Sequence, residues 1–566
     1  MKRMVTCLTV VAAVLFSTAL LAATQADTLD VPAVDTNGAP VINALIKYVV
    51  ADTNAQGEQQ HDVYRLQRGA YYFYNQSPVF RNPIVLVADE PGTTAATRPP
   101  KIIITTDDEG GVPYEHCITT WADITVKNIA FSTTTQDEGY SWANVIKLHA
   151  PNKRIVLQGC HFTLAGWGML EAYVDGTKYY VDRCHIRNAT SDDSWCPFFF
   201  ETGSNMIDTL ITRNTTFFNM VGSPVNSANQ VRCNYFEFDH CTMVNIVRLF
   251  SSIVSYSNAN ITNNIFYNTN VASLPESEVA TAEDQTPHNA CVIDVDTLAA
   301  NDPDASDSLA ATTYMAEGDR IINLKNNCYF WSQEVVDLHT QLDSVVTPMW
   351  MSPRATEMFS NDATYPYLTA ENNISEDPQF VNFGGTDKLV NFVYNIYAGG
   401  SIPMWGWDPD SVDSPDYHYA NLQWPLPEDF AHSLSQLGTD GYHIGSLEYY
   451  AGEMADYYEN LTGVEEGVEG TVPAEFTLGQ NYPNPFNMET TINYRIAKAG
   501  DVTLTVYNSL GQKIRTLISR KNVAAGSYTI GWNGQDASGA DVSSGVYFYK
   551  LQTNGTASLK KMILLK

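Results

Sequence analysis

The chain has 566 residues, 44% of them hydrophobic and 17% charged, with 35 Gly and 26 Pro; this excludes a wholly disordered polymer and implies several domains or one long, turn-rich repeat. The net charge of −31 is unevenly spread: residues 27–471 hold 20 basic and 58 acidic side chains, whereas residues 472–566 hold 10 basic and 5 acidic. An acidic body excludes nucleic acid and the broad electrostatic capture of anionic polymers, and the change of sign marks a domain boundary.

Residues 1–26 begin with Lys2 and Arg3, continue as an apolar run and end in small residues before Asp27. This is the pattern of a secretory signal peptide cleaved after Ala26. No later stretch approaches the roughly 18 consecutive apolar residues of a spanning helix, so the mature chain is expected to lack a transmembrane segment. Residues 27–60 read as an N-terminal cap region, with VINALIKYVV (41–50) a short amphipathic segment suited to closing one end of a stack.

From residue 61 to 450 one short phrase keeps returning: ITVKNIAF at 124, IVLQGCHF at 155, YYVDRCHI at 179, LITRNTTF at 210, FEFDHCTM at 236 and NLKNNCYF at 323. Anchored on Asn128, Gly159, Arg183, Asn214, His240, Asn263 and Asn327, it recurs at intervals of 23 to 31 residues, with one of 64. A strand motif at such a period points to a solenoid of stacked coils. Phe131, Phe162, Ile186, Phe217, Met243, Phe266 and Phe330 follow the anchors by three residues and should pile inside it, with Cys160, Cys184, Cys241 and Cys328 as small buried fillers. The acidic stretch 271–319 is too long for a turn and reads as an insertion.

A second set of strands follows the anchors: VIKLH (145–149), MLEAY (169–173), FFFET (198–202), PVNSA (224–228) and LFSSI (249–253). Aligned on their apolar residues, they send Lys147, Glu171, Glu201, Asn226 and Ser251 outward in one column, neighbours about 4.8 Å apart. His149 and Tyr173 stand two residues along. Two stacked carboxylates repel, and one of such a pair commonly holds its proton to higher pH, as general acid–base work requires. Glu171, Glu201 and Lys147 are therefore the catalytic candidates, and His149, Tyr173 and Asn226 the substrate-binding ones. The alternative is an exposed salt-bridge ladder contributing about 0–1 kcal/mol per pair.

No cofactor is required by any motif. Asp294, Asp296, Asp302 and Asp304 could together hold calcium, although the spacing of an EF-hand loop is missing. The cysteines contain no C-x-x-C pair and match no zinc site.

The coil phrase, the opening LQRGAYYF and the closing ISEDPQFVN with LGTDGYHIGSLEYY resemble a right-handed parallel β-helix of the pectate-lyase-like kind. That resemblance implies an all-β fold; it does not fix a reaction, because such folds host lyases, hydrolases and non-catalytic adhesins. The arginine signature of pectate lyases and the paired aspartates of polygalacturonases are missing. Two functions are carried forward. One is a surface protein that binds or degrades a polysaccharide or cell-surface glycan, as a lyase or glycoside hydrolase. The other is a non-catalytic adhesin or extracellular matrix component.

Residues 451–471 are acidic and read as a linker. Residues 472–566 then alternate in the manner of short strands, as in DVTLTVYN and GVYFYKL, with turns at NSLGQ and DASGAD, which indicates a small immunoglobulin-like β-sandwich. The motifs YPNPF (482–486), VYNSLGQ (506–512), GVYFYKL (545–551) and KKMILLK (560–566) resemble the C-terminal sorting domain of type IX secretion substrates. The resemblance implies export to the outer cell surface or medium through that machinery. By position it gives Tyr482, Pro483, Asn484, Pro485, Phe486, Gly511, Gly545 and Lys566 roles in folding or recognition.

Overall fold

The computed structural model describes residues 28–461 and 477–564, apart from 91–96, 106–115, 134–143, 164–167, 190–197, 227–231, 273–290, 297–316, 343–347, 399–428, 479–489 and several shorter breaks. Residues 1–27, including the signal-peptide reading, lie outside it. The described chain divides into two compact units that meet in sequence at Tyr457 and Tyr458.

In the first unit successive coils lay their strands into three parallel sheets. The eleven-stranded sheet starts at Thr28–Val31 and runs through Arg154–Gln158 and Thr177–Asp182 to Leu368–Glu371. The nine-stranded sheet runs from Tyr71–Tyr74 through His161–Thr163 and His185–Ala189 to Cys328–Phe330. The six-stranded sheet comprises Val79–Phe80, Ile118–Thr120, Ile146–Leu148, Gly168–Ala172, Phe198–Glu201 and Val225–Asn226. This is a parallel β-helix.

The chain passes from the eleven-stranded to the nine-stranded sheet through single left-handed residues: Asn128, Gly159, Arg183, Asn214, His240, Asn263 and Asn326 all have φ between 45° and 61°. Asparagine tolerates this region better than most residues, which explains the anchor composition. The final anchor is Asn326, one residue before the Asn327 expected from sequence. Ile265 pairs with Cys328 and Phe266 with Tyr329, so Tyr329 takes the ladder position expected for Phe330, and Cys328 leaves the cysteine column. Asn264 and Asn327 continue that column instead. Asn264 Nδ2 donates to Asn327 Oδ1 at 3.0 Å, and Asn327 Nδ2 donates to Asn373 Oδ1 at 2.9 Å.

The inner ladder is otherwise as expected. Phe131 pairs with Phe162, Ile186 with Phe217, and Met243 with Phe266, all buried. The Phe131 and Phe162 rings stack at 5.3 Å. A second asparagine ladder runs along the nine-stranded sheet: Asn219 donates to Asn188, Asn245 to Asn219 and Asn268 to Asn245, at 3.1–3.2 Å. Within the segment expected to be an insertion, Cys291–Ile293 pairs with Met349–Met351, so part of 271–319 joins the stack. Among the described residues Cys117, Cys160, Cys184, Cys233, Cys241 and Cys328 are free thiols in the core, and Cys291 is also buried.

At the N-terminal end Val41, Ala44, Leu45 and Val49 enter the main core. Near the C-terminus residues 429–450 run back across several coils. Asn326 Nδ2 donates to Leu437 O, Gly445 N to Asn263 O, Ser446 N to Thr242 Oγ1 and Leu447 N to Asn214 Oδ1. His185 pairs with Glu448 at 2.8 Å. The segment read as a linker opens with a helix, Ala451–Leu461, whose Tyr457 hydroxyl donates to Asp239 Oδ2 at 2.8 Å.

In the second unit all strands pair antiparallel. Thr477–Leu478, Thr490–Ile496 and Gly526–Trp532 form one sheet; Lys513–Val523, Gly500–Asn508, Gly545–Thr553 and Thr556–Leu564 form the other. Alternate residues Val502, Leu504 and Val506 meet Tyr549, Leu551, Met562 and Trp532 in a buried core. The KKMILLK terminus supplies most of the last strand, and Gly545 begins the strand it pairs with. Tyr482, Pro483, Asn484, Pro485, Phe486, Gly511 and Lys566 lie outside the described residues.

Candidate functional site

The six-stranded sheet carries the column read from sequence. Lys147 pairs with Glu171, Glu171 with Glu201 and Glu201 with Asn226. Ser251 does not continue it: Ser251 bridges to Val225, one residue out of register. Its hydroxyl accepts from Tyr256 OH at 3.2 Å, so it faces the inner side with Tyr256. LFSSI offers two adjacent serines, and hydrophobic alternation cannot choose between them.

The two carboxylates are covered rather than solvated, with Glu171 3% and Glu201 5% exposed. Lys147 Nζ lies 2.5 Å from Glu171 Oε1, and Asn144 Nδ2 donates to Glu171 Oε2. Glu201 Oε1 accepts from Tyr173 OH at 3.2 Å and from Asn226 Nδ2 at 3.5 Å. Among the described residues, the buried Glu201 Oε2 and Asn144 Oδ1 have no hydrogen-bond partner. Buried polar atoms are nearly always paired, so two unpaired ones in one place mark a position where a ligand or water would complete the site. Gly168 makes the room: a β-carbon there would stand 3.0 Å from Asn144 Oδ1 and 3.2 Å from Glu201 Cβ.

Burial, with the neighbouring Glu171 charge adding to it and the Tyr173 and Asn226 hydrogen bonds opposing it, pushes the Glu201 carboxyl up to about 7. Loss of hydration is the dominant cause, since removing a carboxylate from water favours its neutral form. His149 is pushed down, chiefly by burial and then by the Lys147 charge.

Beside the carboxylates runs a strip of aromatic and basic groups that joins Lys147, His149 and Tyr173 to Trp121 and Arg81, two residues the sequence pattern did not single out as site residues. Trp121 stacks on His149 with ring centres 5.2 Å apart, Arg81 lies 5.6 Å from the Trp121 ring, and Lys147 Nζ is 5.9 Å from the Tyr173 ring. Trp121 and Tyr173 are 43% and 46% exposed. Tyr173 is seated by Gly203, which has φ +56° and where a β-carbon would come within 2.8 Å of the ring. The sequence signal was present: a one-coil shift of the Lys147–His149 spacing places Trp121 in line with His149.

The acidic cluster fares differently. Arg354 bonds both Asp294 and Asp296 through its guanidinium, and Ser352 Oγ donates to Asp294 at 2.5 Å. These two acids hold an arginine, a charge-neutralising arrangement, instead of an open cation site; Asp302 and Asp304 lie outside the described residues. Among the described residues no group of three or more His, Cys, Asp and Glu side chains could hold a metal ion, and no helix is long and apolar enough to cross a membrane.

Residues 486–557 match the FlgD Ig-like domain family, in agreement with the antiparallel sheets of the second unit. No curated protein matches the sequence. Among solved structures, dimeric latent PorU from Porphyromonas gingivalis matches at 23% identity over 16% of this chain and 10% of its own, with a TM-score of 0.15. PorZ, a surface component of the type IX secretion system of Porphyromonas gingivalis, matches at 21% identity over 16% and 11%, with a TM-score of 0.12. FlgD from P. aeruginosa matches at 19% identity over 17% and 77%, with a TM-score of 0.12. The chain thus spans about a tenth of the first two proteins, and each likeness is confined to about a sixth of this one.

Proposed function

We propose that this is an exported, surface-delivered β-helix protein that binds a polysaccharide along the outward face of the six-stranded sheet and cleaves it there. The observation that carries the reading is Glu201: a covered carboxyl, pushed up to about 7 by its burial, in hydrogen-bond contact with an exposed tyrosine on an open aromatic strip. Such a group can donate its proton to a departing glycosidic oxygen. Lys147 and Asn226 would orient the sugar, and Trp121 and Tyr173 would supply its apolar contacts.

Glu171 and Glu201 leave neighbouring rungs in the same direction, so they meet a ligand from one side. A glycosidase needs its two carboxyl groups flanking the bond, an arrangement this pair does not make. One-sided chemistry favours a lyase acting by syn elimination on a uronate. Glu171 takes the proton from the ring carbon beside the sugar carboxylate, that electron pair forms the ring double bond as the bond to the glycosidic oxygen breaks, and Glu201 gives its proton to that oxygen. Turnover by the wild-type chain on a panel of neutral and acidic glycans, lost in Glu201→Gln, tests this. The non-catalytic adhesin reading is favoured by the ion pair and hydrogen bonds that already engage Glu171 and Glu201; it predicts glycan retention without product in both proteins.

We further infer that residues 472–566 are a type IX sorting domain. The reading is supported by the YPNPF, VYNSLGQ and KKMILLK motifs in an immunoglobulin-like fold, which itself serves many roles. Deleting 472–566 should leave the protein in the periplasm; surface delivery without them would overturn the assignment.

A further inference from the structure

The strap formed by residues 429–450 grips the coiled body at two neighbouring corners, those of His240 and Asn263. At the second corner Asn263 Oδ1 accepts from Thr439 N at 2.8 Å, Asn263 Nδ2 donates to Thr439 Oγ1 at 3.2 Å, and Gly445 N donates to Asn263 O at 2.6 Å. Two glycines allow this approach. A β-carbon on Gly438 would stand 2.9 Å from Asn263 Oδ1, and one on Gly445 would stand 2.7 Å from Thr242 Oγ1. At the first corner the His240 ring is fully buried.

Both ring nitrogens of His240 face oxygens of the strap. Nε2 lies 2.9 Å from Asp440 Oδ2, and Nδ1 lies 3.3 Å from Gly445 O. An ionised carboxylate and a carbonyl only accept, so both nitrogens have to donate, and only the imidazolium carries two N–H groups. A neutral ring would leave one lone pair against an oxygen, out of reach of water. The strap's own His432 is built the opposite way. Its Nε2 faces Ile444 O at 2.8 Å while its Nδ1 accepts from Leu434 N at 3.2 Å, which requires a neutral ring.

The charges around His240 agree with this assignment. Asp239 precedes it and Asp440 faces it from the strap. Tyr457, on the helix Ala451–Leu461, meets the ring edge-on at 5.1 Å and donates to Asp239 Oδ2 at 2.8 Å. The other Asp239 oxygen accepts from Thr262 Oγ1 and Asn263 Nδ2, and Arg213 stands beside Asp239 on the neighbouring rung. Burial opposes the imidazolium, but the Asp239 charge and then the Asp440 hydrogen bond outweigh it and push His240 above its usual 6.5. Burial likewise opposes the Asp440 carboxylate, and His240 holds it below its usual 3.8. Two further pairs lie along the same segment, His443 with Glu453 at 2.7 Å and His185 with Glu448 at 2.8 Å.

We propose that the strap is a pH-sensitive latch, closed on the body while His240 holds both ring protons and loosened when one of them is lost. Because the folded-state value of His240 is raised, its contribution is fully present below about 6.5 and is lost as pH rises through the higher folded value. Loosening would lift Phe430, Leu434 and Ile444 from the outward face formed by Phe218, Val244 and Ile265. The latch lies on the nine-stranded sheet and does not depend on what the Glu201 column does.

Hydrogen exchange read by mass spectrometry tests it on the full chain between about pH 5.5 and 9.5, each rate divided by the intrinsic rate at that pH. Amides of residues 437–447 should lose protection about tenfold or more as pH rises, with a midpoint above about 6.5, as expected for one hydrogen bond to a charged group. The strand Ile207–Arg213 should keep its protection. His240 has φ 50°, and His240→Asn preserves that left-handed corner because asparagine tolerates it. In this variant residues 437–447 should be loose already at the lowest pH and show no midpoint. Should it not fold, as judged by circular dichroism, Asp440→Asn replaces it, and the step should move to lower pH because the ring has lost a carboxylate partner. Protection of 437–447 that stays flat across the range in the wild type, or an unchanged step in the folded variant, would overturn the proposal.

Discussion

The two shorter sheets of the coil treat their outward faces in opposite ways. On the nine-stranded sheet Phe218, Val244, Ile265 and Tyr267 point outward and are buried, because Phe380, Phe430, Leu434 and Ile444 from later in the chain cover them. Phe430 meets Phe218 at 5.2 Å and Phe380 at 5.0 Å, ring centre to ring centre. On the six-stranded sheet Trp121 and Tyr173 point outward and remain about half exposed beside two covered carboxylates. A solenoid offers every face the same chance of being sealed by its own chain. The face left with exposed aromatics over unsatisfied polar atoms is the one arranged for something other than stability.

That contrast can be broken most forcefully on the sealed side. Phe430→Ala should cost about 3–5 kcal/mol in denaturant unfolding, the usual range for truncating a buried phenylalanine. Tyr173→Ala on the open side should cost less, about 1–2 kcal/mol, because the main loss is its hydrogen bond to Glu201. Equal losses in the two variants would erase the distinction.

Next comes pH. The folded-state value of Glu201 stands above its ordinary 4.5, so the folded chain binds an extra proton between roughly pH 4.5 and 7. Its contribution is therefore fully present below 4.5 and is lost as pH rises through about 7, up to about 3 kcal/mol in all. Subtracting the stability profile of Glu201→Gln from that of the wild type isolates this slope. A flat difference between pH 5 and 8 would place the carboxyl in ordinary water.

For turnover, Glu201→Gln should reduce kcat about 100-fold or more, since a positioned proton donor typically contributes that much, with the fold intact. The smallest effect belongs to the strip: Trp121→Ala should weaken glycan binding about tenfold, the loss of one stacking contact, leaving kcat at saturation nearly unchanged. A large fall in kcat with unchanged affinity would assign Trp121 a different part in the site.

The coil repeat was legible because each rung restates the same constraint, a tight left-handed corner followed by a buried large side chain. Reading failed where that constraint was duplicated. Asn326 and Asn327 are adjacent, as are Ser251 and Ser252, and in each case the apolar pattern allowed both registers while hydrogen bonding chose one. The Lys147–Glu171–Glu201–Asn226 order came from alternation alone and the register reproduces it. Its burial did not, because outward-facing residues were taken to meet water, whereas side chains that alternation does not place, such as Asn144 and Tyr173, close over them. For the same reason the acids at 294 and 296 looked open until Arg354, about sixty residues later, was found between them.

The most direct test of the central claim is a carbon-13 NMR titration of the glutamate carboxyls in wild-type and Glu201→Gln protein. We predict one carboxyl resonance with a midpoint near 7 in the wild type, missing from the variant. If every glutamate titrates around 4.5 in both proteins, Glu201 is an ordinary solvated acid and the six-stranded sheet is not the working face.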